Sequence, residues 1–335
     1  MDSEVFDITI VGAGPTGLFA AFYAGLRELK TKVVEALPEP GGQLAVLYPE
    51  KYIYDVPGLP KVLAKDLVHN LVQQIAMFKP VLVYDERIET LTRATVNGEE
   101  VWRIGSAVTA HFSKTIVVTA GIGAFSPNRL DRPGVAEHEG KGVYYFFKDK
   151  GPLRGKRLLI VGGGDSAVDW CLNLKDWAKS ITLIHRRDQF RAHESSVVEL
   201  KTSGIPILIP YELKRVIGDE DSVKAAVIYD NTTGVEKEIP VEAVLINIGY
   251  KAALGPLASW GMEMKDDRHI KVDGFMETSL KGVYAAGDIA HVEGSEPLNL
   301  IVTGFAQAAI AANAAKTHID PASRMFPGHS SEKRL

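Results

Sequence analysis

The sequence predicts an α/β fold: two Rossmann-like, three-layer (ββα) nucleotide-binding domains, the second inserted in the first. Three observations carry this. A strand, a glycine turn and a helix open the chain, the same series recurs near residue 160, and a late strand ends in a turn that can rejoin the first sheet. A chance match would have to repeat strand, glycines, helix and second strand in order, so the recurrence weighs more than either copy. At 335 residues the chain has room for two domains of roughly 100 to 200 residues each.

The opening run Phe6-Asp-Ile-Thr-Ile-Val11 is short and β-branched and stops at Gly12, as a buried parallel strand does before a tight turn. Good helix formers follow from Pro15 to about Leu29, with the proline near the first turn, and Lys32-Val-Val-Glu35 resumes strand character. Thr115-Ile-Val-Val-Thr-Ala-Gly121 is an apolar strand ending in a small-residue turn, and Pro127 and Pro133 mark a connector after it. The second series runs through Arg157-Leu-Leu-Ile-Val161, Gly162-Gly-Gly-Asp-Ser-Ala167, a helix to about Lys179, and Ile181-Thr-Leu-Ile184 before His185-Arg-Arg187. Ala243-Val-Leu-Ile-Asn-Ile-Gly249 reads as another buried strand, and Gly282-Val-Tyr-Ala-Ala-Gly-Asp288 as the late one. The expected division is 1–121 and 249–325 for the first domain, 122–248 for the second, and a polar tail over 326–335.

Composition narrows the function classes. Hydrophobic residues at 46% and charged residues at 24% are ordinary for a globular protein. A net charge of −4 provides no global attraction to nucleic acid, and no apolar run approaches the roughly 18 residues of a membrane span. Asp2 and Glu4 stand where a secretory signal would be basic, so a cytoplasmic protein is expected, free of nucleic acid and membrane. Cys171 is the sole cysteine, which excludes an intrachain disulfide, a redox dithiol and a cysteine-based zinc site. His185, His193, His269 and His291 lack metal-ligand spacing and no serine sits in a nucleophile elbow, so neither a metal nor an acid, base or nucleophile is expected.

Gly12, Gly14 and Gly17 form G-x-G-x-x-G between a strand and a helix. The first glycine permits the tight turn, the second lets backbone N–H groups approach a pyrophosphate, and the third lets the helix pack closely, while the helix dipole favours the negative charge. Glu35 ends the next strand, near the ~20-residue offset at which an acid meets ribose hydroxyls. A carboxylate there repels a 2′-phosphate, so this copy is expected to hold FAD or NAD. A glycine turn used only for packing is the alternative.

Gly162, Gly164 and Ala167 make the G-x-G-x-x-A variant, with Asp165 and Ser166 inside it. No acid ends the following strand. Arg186 and Arg187 stand there, with Arg191 a few residues on, and guanidinium forks suit a phosphate dianion. This copy is expected to prefer NADPH, the alternative being a solvated charged face. Asp288 after Ala285-Ala-Gly287 serves equally as a helix cap or as a partner for a flavin hydroxyl. Tyr52 and Tyr54 flank Ile53 in a Pro/Gly-rich segment, where an aromatic packs a turn more often than it carries a flavin.

These residues resemble the thioredoxin-reductase-like flavoproteins, and most closely the ferredoxin/flavodoxin–NADP reductases built on that scaffold. The resemblance rests on Val11-Gly-Ala-Gly-Pro-Thr-Gly17, Gly41-Gly-Gln-Leu44, Tyr48-Pro-Glu-Lys-Tyr-Ile-Tyr-Asp-Val56, Gly162-Gly-Gly-Asp-Ser-Ala-Val-Asp169, His185-Arg-Arg-Asp-Gln-Phe-Arg-Ala192 and Ala286-Gly-Asp288. Where thioredoxin reductases need a C-x-x-C pair, this chain reads Gly142-Val-Tyr-Tyr-Phe-Phe-Lys-Asp149, so electrons leave the flavin directly.

The resemblance implies FAD and NADPH as cofactors, and FAD contacts at Thr16, Glu35, Gln43, Tyr48, Ile88, Phe125, Asp288 and Ser330. It further implies that Tyr52 covers one flavin face and His329, on the C-terminal tail, the other; that ferredoxin or flavodoxin is the electron carrier; and that the chain forms a homodimer. Domain rotation is implied with hinges near Gly121 and Gly249. Lys148, Lys150, Arg154 and Lys156 are a candidate docking patch for an acidic carrier, or a solvated lysine-rich loop. Two other classes stay open: a disulfide or low-molecular-weight thiol reductase without its own dithiol, and a non-catalytic redox sensor.

Overall fold

The computed structural model describes residues 4–46, 49, 51–121, 123–145 and 150–332, without the side chains of 124–126 and 250–253. The chain forms two compact units, Met1–Phe125 with Ala252–Leu335, and Ser126–Lys251.

In the first unit the central strand is β1 (Val5–Val11), flanked in parallel by β2 (Thr31–Val34) and by the strand Ala110–Val118. Val81–Val83 extends the parallel sheet beyond β2, and the late strand Val283–Ala285 extends it beyond Ala110–Val118. Ile8, Thr9 and Ile10 are all fully buried, as expected of a strand covered on both faces. Helix α1 (Pro15–Leu26) starts on Pro15 and turns Gly17, Leu18, Ala20, Ala21 and Ala24 inward. Its neighbour is the C-terminal helix Ile301–Ile319, which buries Ala308, Ala311, Ala312 and Ala315; Phe19 and Phe305 meet at 4.7 Å. Small residues on these faces allow close packing, so the sequence-distant ends of the chain share one core.

The other layer of this unit is an antiparallel meander. Ile88–Val96 and Glu99–Ser106 pair around Asn97-Gly98, whose φ values of 52° and 85° are those of a two-residue hairpin turn. Ala110–Val118 belongs to both layers: its first half pairs antiparallel with Glu99–Ser106, and its register with β1 continues to Val11↔Val118.

Arg27, just past α1, is only 6% exposed. Its guanidinium donates to Asn313 Oδ1 at 2.7 Å and to the carbonyls of Arg324 at 2.9 Å and Met325 at 3.3 Å. The segment after the C-terminal helix is therefore tied to the end of α1 opposite Gly14. Twelve helical residues at 1.5 Å each put those ends about 18 Å apart.

The second unit repeats the plan with a five-stranded parallel sheet in the order Val143–Tyr144, Ala243–Asn247, Arg157–Gly162, Ser180–Ile184, Ile207–Leu208. Alternation along one strand separates two cores. Leu158 and Ile160 join Val168, Trp170, Cys171 and Leu174 of the helix Asp165–Leu174. Leu159 and Val161 face Leu213, Val216, Ala226 and Ile228 of the antiparallel strands Tyr211–Gly218 and Val223–Asp230. Sheet, helix layer and meander make the three layers read from the sequence. Among the described residues no helix is long and apolar enough to cross a membrane.

Candidate functional site

In the first unit, the ends of β1, β2 and Ala110–Val118 open into a cleft of about 370 Å³. Its floor is the glycine turn. Gly12 has φ of +108°, and a Cβ there would lie 2.7 Å from the carbonyl oxygen of Thr119. Thr119 Oγ1 in turn donates to the Gly12 carbonyl at 2.9 Å, and Gly12 N–H donates to Val34 O at 2.8 Å, so the turn is held from both neighbouring strands. A side chain on Gly17 would overlap Gly12 O, which explains the third glycine as a helix-packing residue behind the cleft. Gly14 differs: it caps α1 with φ of −67° and nothing stands within 4 Å of its Cβ position. Glycine there leaves open space beside a helix N-terminus, which suits a pyrophosphate.

Glu35 lines the same cleft. One carboxylate oxygen accepts Ala13 N–H at 2.7 Å and the other accepts Leu37 N–H at 3.0 Å, which fixes the group while leaving lone pairs for hydroxyl donors. Burial pushes its pKa above the usual carboxylate range, and the bonds from Ala13, Leu37 and Ala36 pull the other way. Asp288, across the cleft, is also raised by burial, opposed by Gln43 and by His269. Gln43 Nε2 donates to it at 3.3 Å. The turn presenting Asp288 is pinned from the C-terminal helix, where Gln307 Oε1 accepts Gly287 N–H at 2.7 Å.

Of the residues expected to contact FAD, Gly12, Gly14, Thr16, Glu35, Gln43, Ile88 and Asp288 line this cleft together. Tyr48 and the Phe125 side chain lie outside the described residues. Tyr52 is 44% exposed beneath the Lys61 ammonium, 3.7 Å from its ring centroid, and is not among the lining residues. His329 and Ser330 are exposed on the tail held by Arg27, away from the cleft of their own chain. Arg87, Thr119 and Gln307 were not anticipated; no local motif marks them, and only the fold brings them to the site.

In the second unit Gly162 has φ of +151°, and a Cβ on it would overlap the Asn247 carbonyl of the neighbouring strand. Gly164 caps the helix Asp165–Leu174 with nothing within 4 Å of its Cβ position, and Ala167 is fully buried behind it. The loop carrying the arginines is fastened to this turn twice: Arg191 N–H donates to Gly163 O at 2.8 Å, and His193 N–H to Asp165 Oδ1 at 2.9 Å. Arg186, Arg187 and Arg191 are exposed, and Ser166 is half-buried in the first helical turn. Burial lowers the pKa of His185, the bond with the Gln189 carbonyl opposes it, and the charges of Arg186, Arg187 and Arg191 add to the lowering. Lys150 and Arg154 lie against Trp177, while Lys148 falls outside the described residues.

Two glycine turns at the carboxyl ends of central parallel strands, one beside a carboxylate and one beside arginines, define a protein that binds two dinucleotides. A family model described as pyridine nucleotide-disulphide oxidoreductase matches residues 6–315, and the chain belongs to that family. The ferredoxin–NADP reductase of Thermus thermophilus is 55% identical to it over 99% of this chain and 98% of that protein. Ferredoxin–NADP reductase 1 of Sulfolobus acidocaldarius is 52% identical, over 97% and 98%. Among solved structures, a T. acidophilum thioredoxin reductase superposes with a TM-score of 0.77 at 25% identity, covering 93% of this chain and 98% of that one.

The two glycines of the first turn separate fold from binding. Gly12→Ala is expected to cost the apoprotein about 2 kcal/mol or more, because both its φ and the Thr119 carbonyl oppose a side chain. Gly14→Val should cost less, about 1 kcal/mol for a β-branched residue at the N-cap, while weakening dinucleotide uptake strongly. Urea unfolding and dinucleotide titration of each variant check this; equal stability losses would refute the division.

Proposed function

We propose that this protein is an FAD-dependent ferredoxin–NADP reductase, with FAD in the first unit and NADPH in the second. The observation that carries the reading is Cys171: the only cysteine of the chain is fully buried on the helix Asp165–Leu174, and burial raises its thiol pKa far above the ordinary value. No sulfur of this chain can relay electrons to a disulfide, although the family name includes disulphide oxidoreductases. The names of the two relatives support the same choice. A single inert thiol also suits the reducing cytoplasm.

The residues of the first cleft fit FAD. Gly14 leaves room beside the N-terminus of α1 for the pyrophosphate, Glu35 offers carboxylate oxygens to ribose hydroxyls and repels a 2′-phosphate, and Asp288 with Gln43 faces the flavin half. In the second unit Gly162, Gly164, Asp165, Ser166 and Ala167 form the turn for NADPH, and Arg186, Arg187 and Arg191 read its 2′-phosphate. FAD held by Gly14, Glu35, Gln43 and Asp288 would supply hydride acceptance from NADPH and release of single electrons to ferredoxin or flavodoxin. The polypeptide supplies orientation and exclusion of water.

Covering of the flavin by Tyr52 and His329, with Ser330 as a further FAD contact, is part of this reading, with one geometric condition. The tail is anchored on Arg27, about 18 Å along α1 from the glycine turn. The flavin it covers is then that of a second copy. A two-fold dimer with antiparallel α1 helices brings the tail end of one chain to the cleft end of the other, so the homodimer completes the site.

Three outcomes are expected. Protein reduced anaerobically by NADPH should reoxidise on mixing with ferredoxin or flavodoxin; reoxidation by low-molecular-weight disulfides alone would select the thiol-reductase alternative. Replacing Arg186 and Arg187 by Gln should raise KM for NADPH at least tenfold and change KM for NADH little, and equal effects would exclude them as 2′-phosphate readers. A fluorophore on Ser330→Cys in a Cys171→Ala background should be quenched by flavin only at concentrations where the chain is dimeric. Quenching that persists in the diluted monomer would rule out a lid supplied by the partner.

A further inference from the structure

The loop between Val81–Val83 and Ile88–Val96 carries a side chain that neither the fold nor the two dinucleotide turns account for. Arg87 lines the first cleft and is the only cation among its described lining residues, which also include Glu35, Glu86 and Asp288. It makes no hydrogen bond or ion pair with any described residue. Its guanidinium passes over Gly255, where a Cβ would overlap Nη2, and the adjoining wall is apolar: Leu254, Pro256 and Leu257. An unpaired planar cation above an apolar slot is suited to the face of an aromatic ligand.

The backbone places this slot at the adenosine end of the cleft. Glu86 N–H donates to Glu35 O at 3.0 Å and Asp85 N–H to Leu37 O at 3.1 Å, so the Arg87 loop runs beside the residue that meets a ribose. The loop is also anchored from beneath. Glu86 Oε1 receives Ser106 Oγ–H at 2.5 Å and lies 2.9 Å from His111 Nε2; His111 Nδ1 lies 3.1 Å from Lys32 Nζ. Lysine is the donor in that last contact, which makes Nδ1 the acceptor and leaves Nε2–H for Glu86. Glu86 and His111 are both buried, so the loop is set before any ligand arrives.

We propose that Arg87 clamps the adenine ring of the dinucleotide in the first unit, its guanidinium resting on Gly255 and stacking its open face on the ring. This assignment rests on the FAD reading above. Its test uses apoprotein titrated with FAD and with FMN, which lacks the adenosine half. Arg87→Ala should raise the FAD dissociation constant roughly tenfold and leave that for FMN unchanged, and Arg87→Lys, which keeps the charge without the plane, should not restore FAD affinity. Unchanged FAD binding in Arg87→Ala, a parallel loss of FMN, or full rescue by lysine would each overturn the clamp while leaving FAD as the cofactor. Wild-type apoprotein that takes up no FAD would overturn the functional reading and the clamp together.

Discussion

Two backbone carbonyls, those of Thr119 and Asn247, occupy the space that a side chain would need at Gly12 and Gly162. Each stands at the carboxyl end of the strand beside a glycine turn, and each holds the turn close against the end of the sheet. With the first glycine pressed inward, the second faces open space at a helix N-terminus. Everything chemical follows from that inversion. A backbone that packs inward at one residue and is bare at the next but one presents amide groups to an anion without paying for their burial.

The same turn stands in two different surroundings. In the first unit the next strand ends in a carboxylate held by two backbone N–H groups, and in the second it ends in a loop of exposed arginines tied to the turn by two hydrogen bonds. Charge at one strand end therefore separates two sites of common geometry. The contrast is local, and it leaves the parallel sheets beneath both sites unaltered.

This explains what the sequence revealed. The places of Gly12, Gly14, Gly17, Glu35, Gly162, Gly164 and Arg186 around the two turns were legible because short spacings within one strand–turn–helix series fix them, and the fold followed from the recurrence of that series. Thr119, Gln307 and Arg87 were not, since each meets its neighbour (Gly12, Gly287 and Gly255) across a separation of 107, 20 or more than 160 residues that no local pattern encodes. The tail was legible as a segment without periodicity, but its place depended on Arg27, whose partners lie 286 to 298 residues away. Sequence reasoning reaches contacts made within an element; those made between distant elements need the folded chain.

The strand Val283–Ala285 lies beside Ala110–Val118, and the helix Ile301–Ile319 shares a core with α1. On a ribosome, the first 125 residues therefore emerge without the last strand and the long helix that cover their apolar surface. Residues 126–251 are contiguous and finish their own sheet while that earlier piece still waits. The middle unit is thus available in full before the first one, whose two segments can join only when the late strand and the long helix have been made.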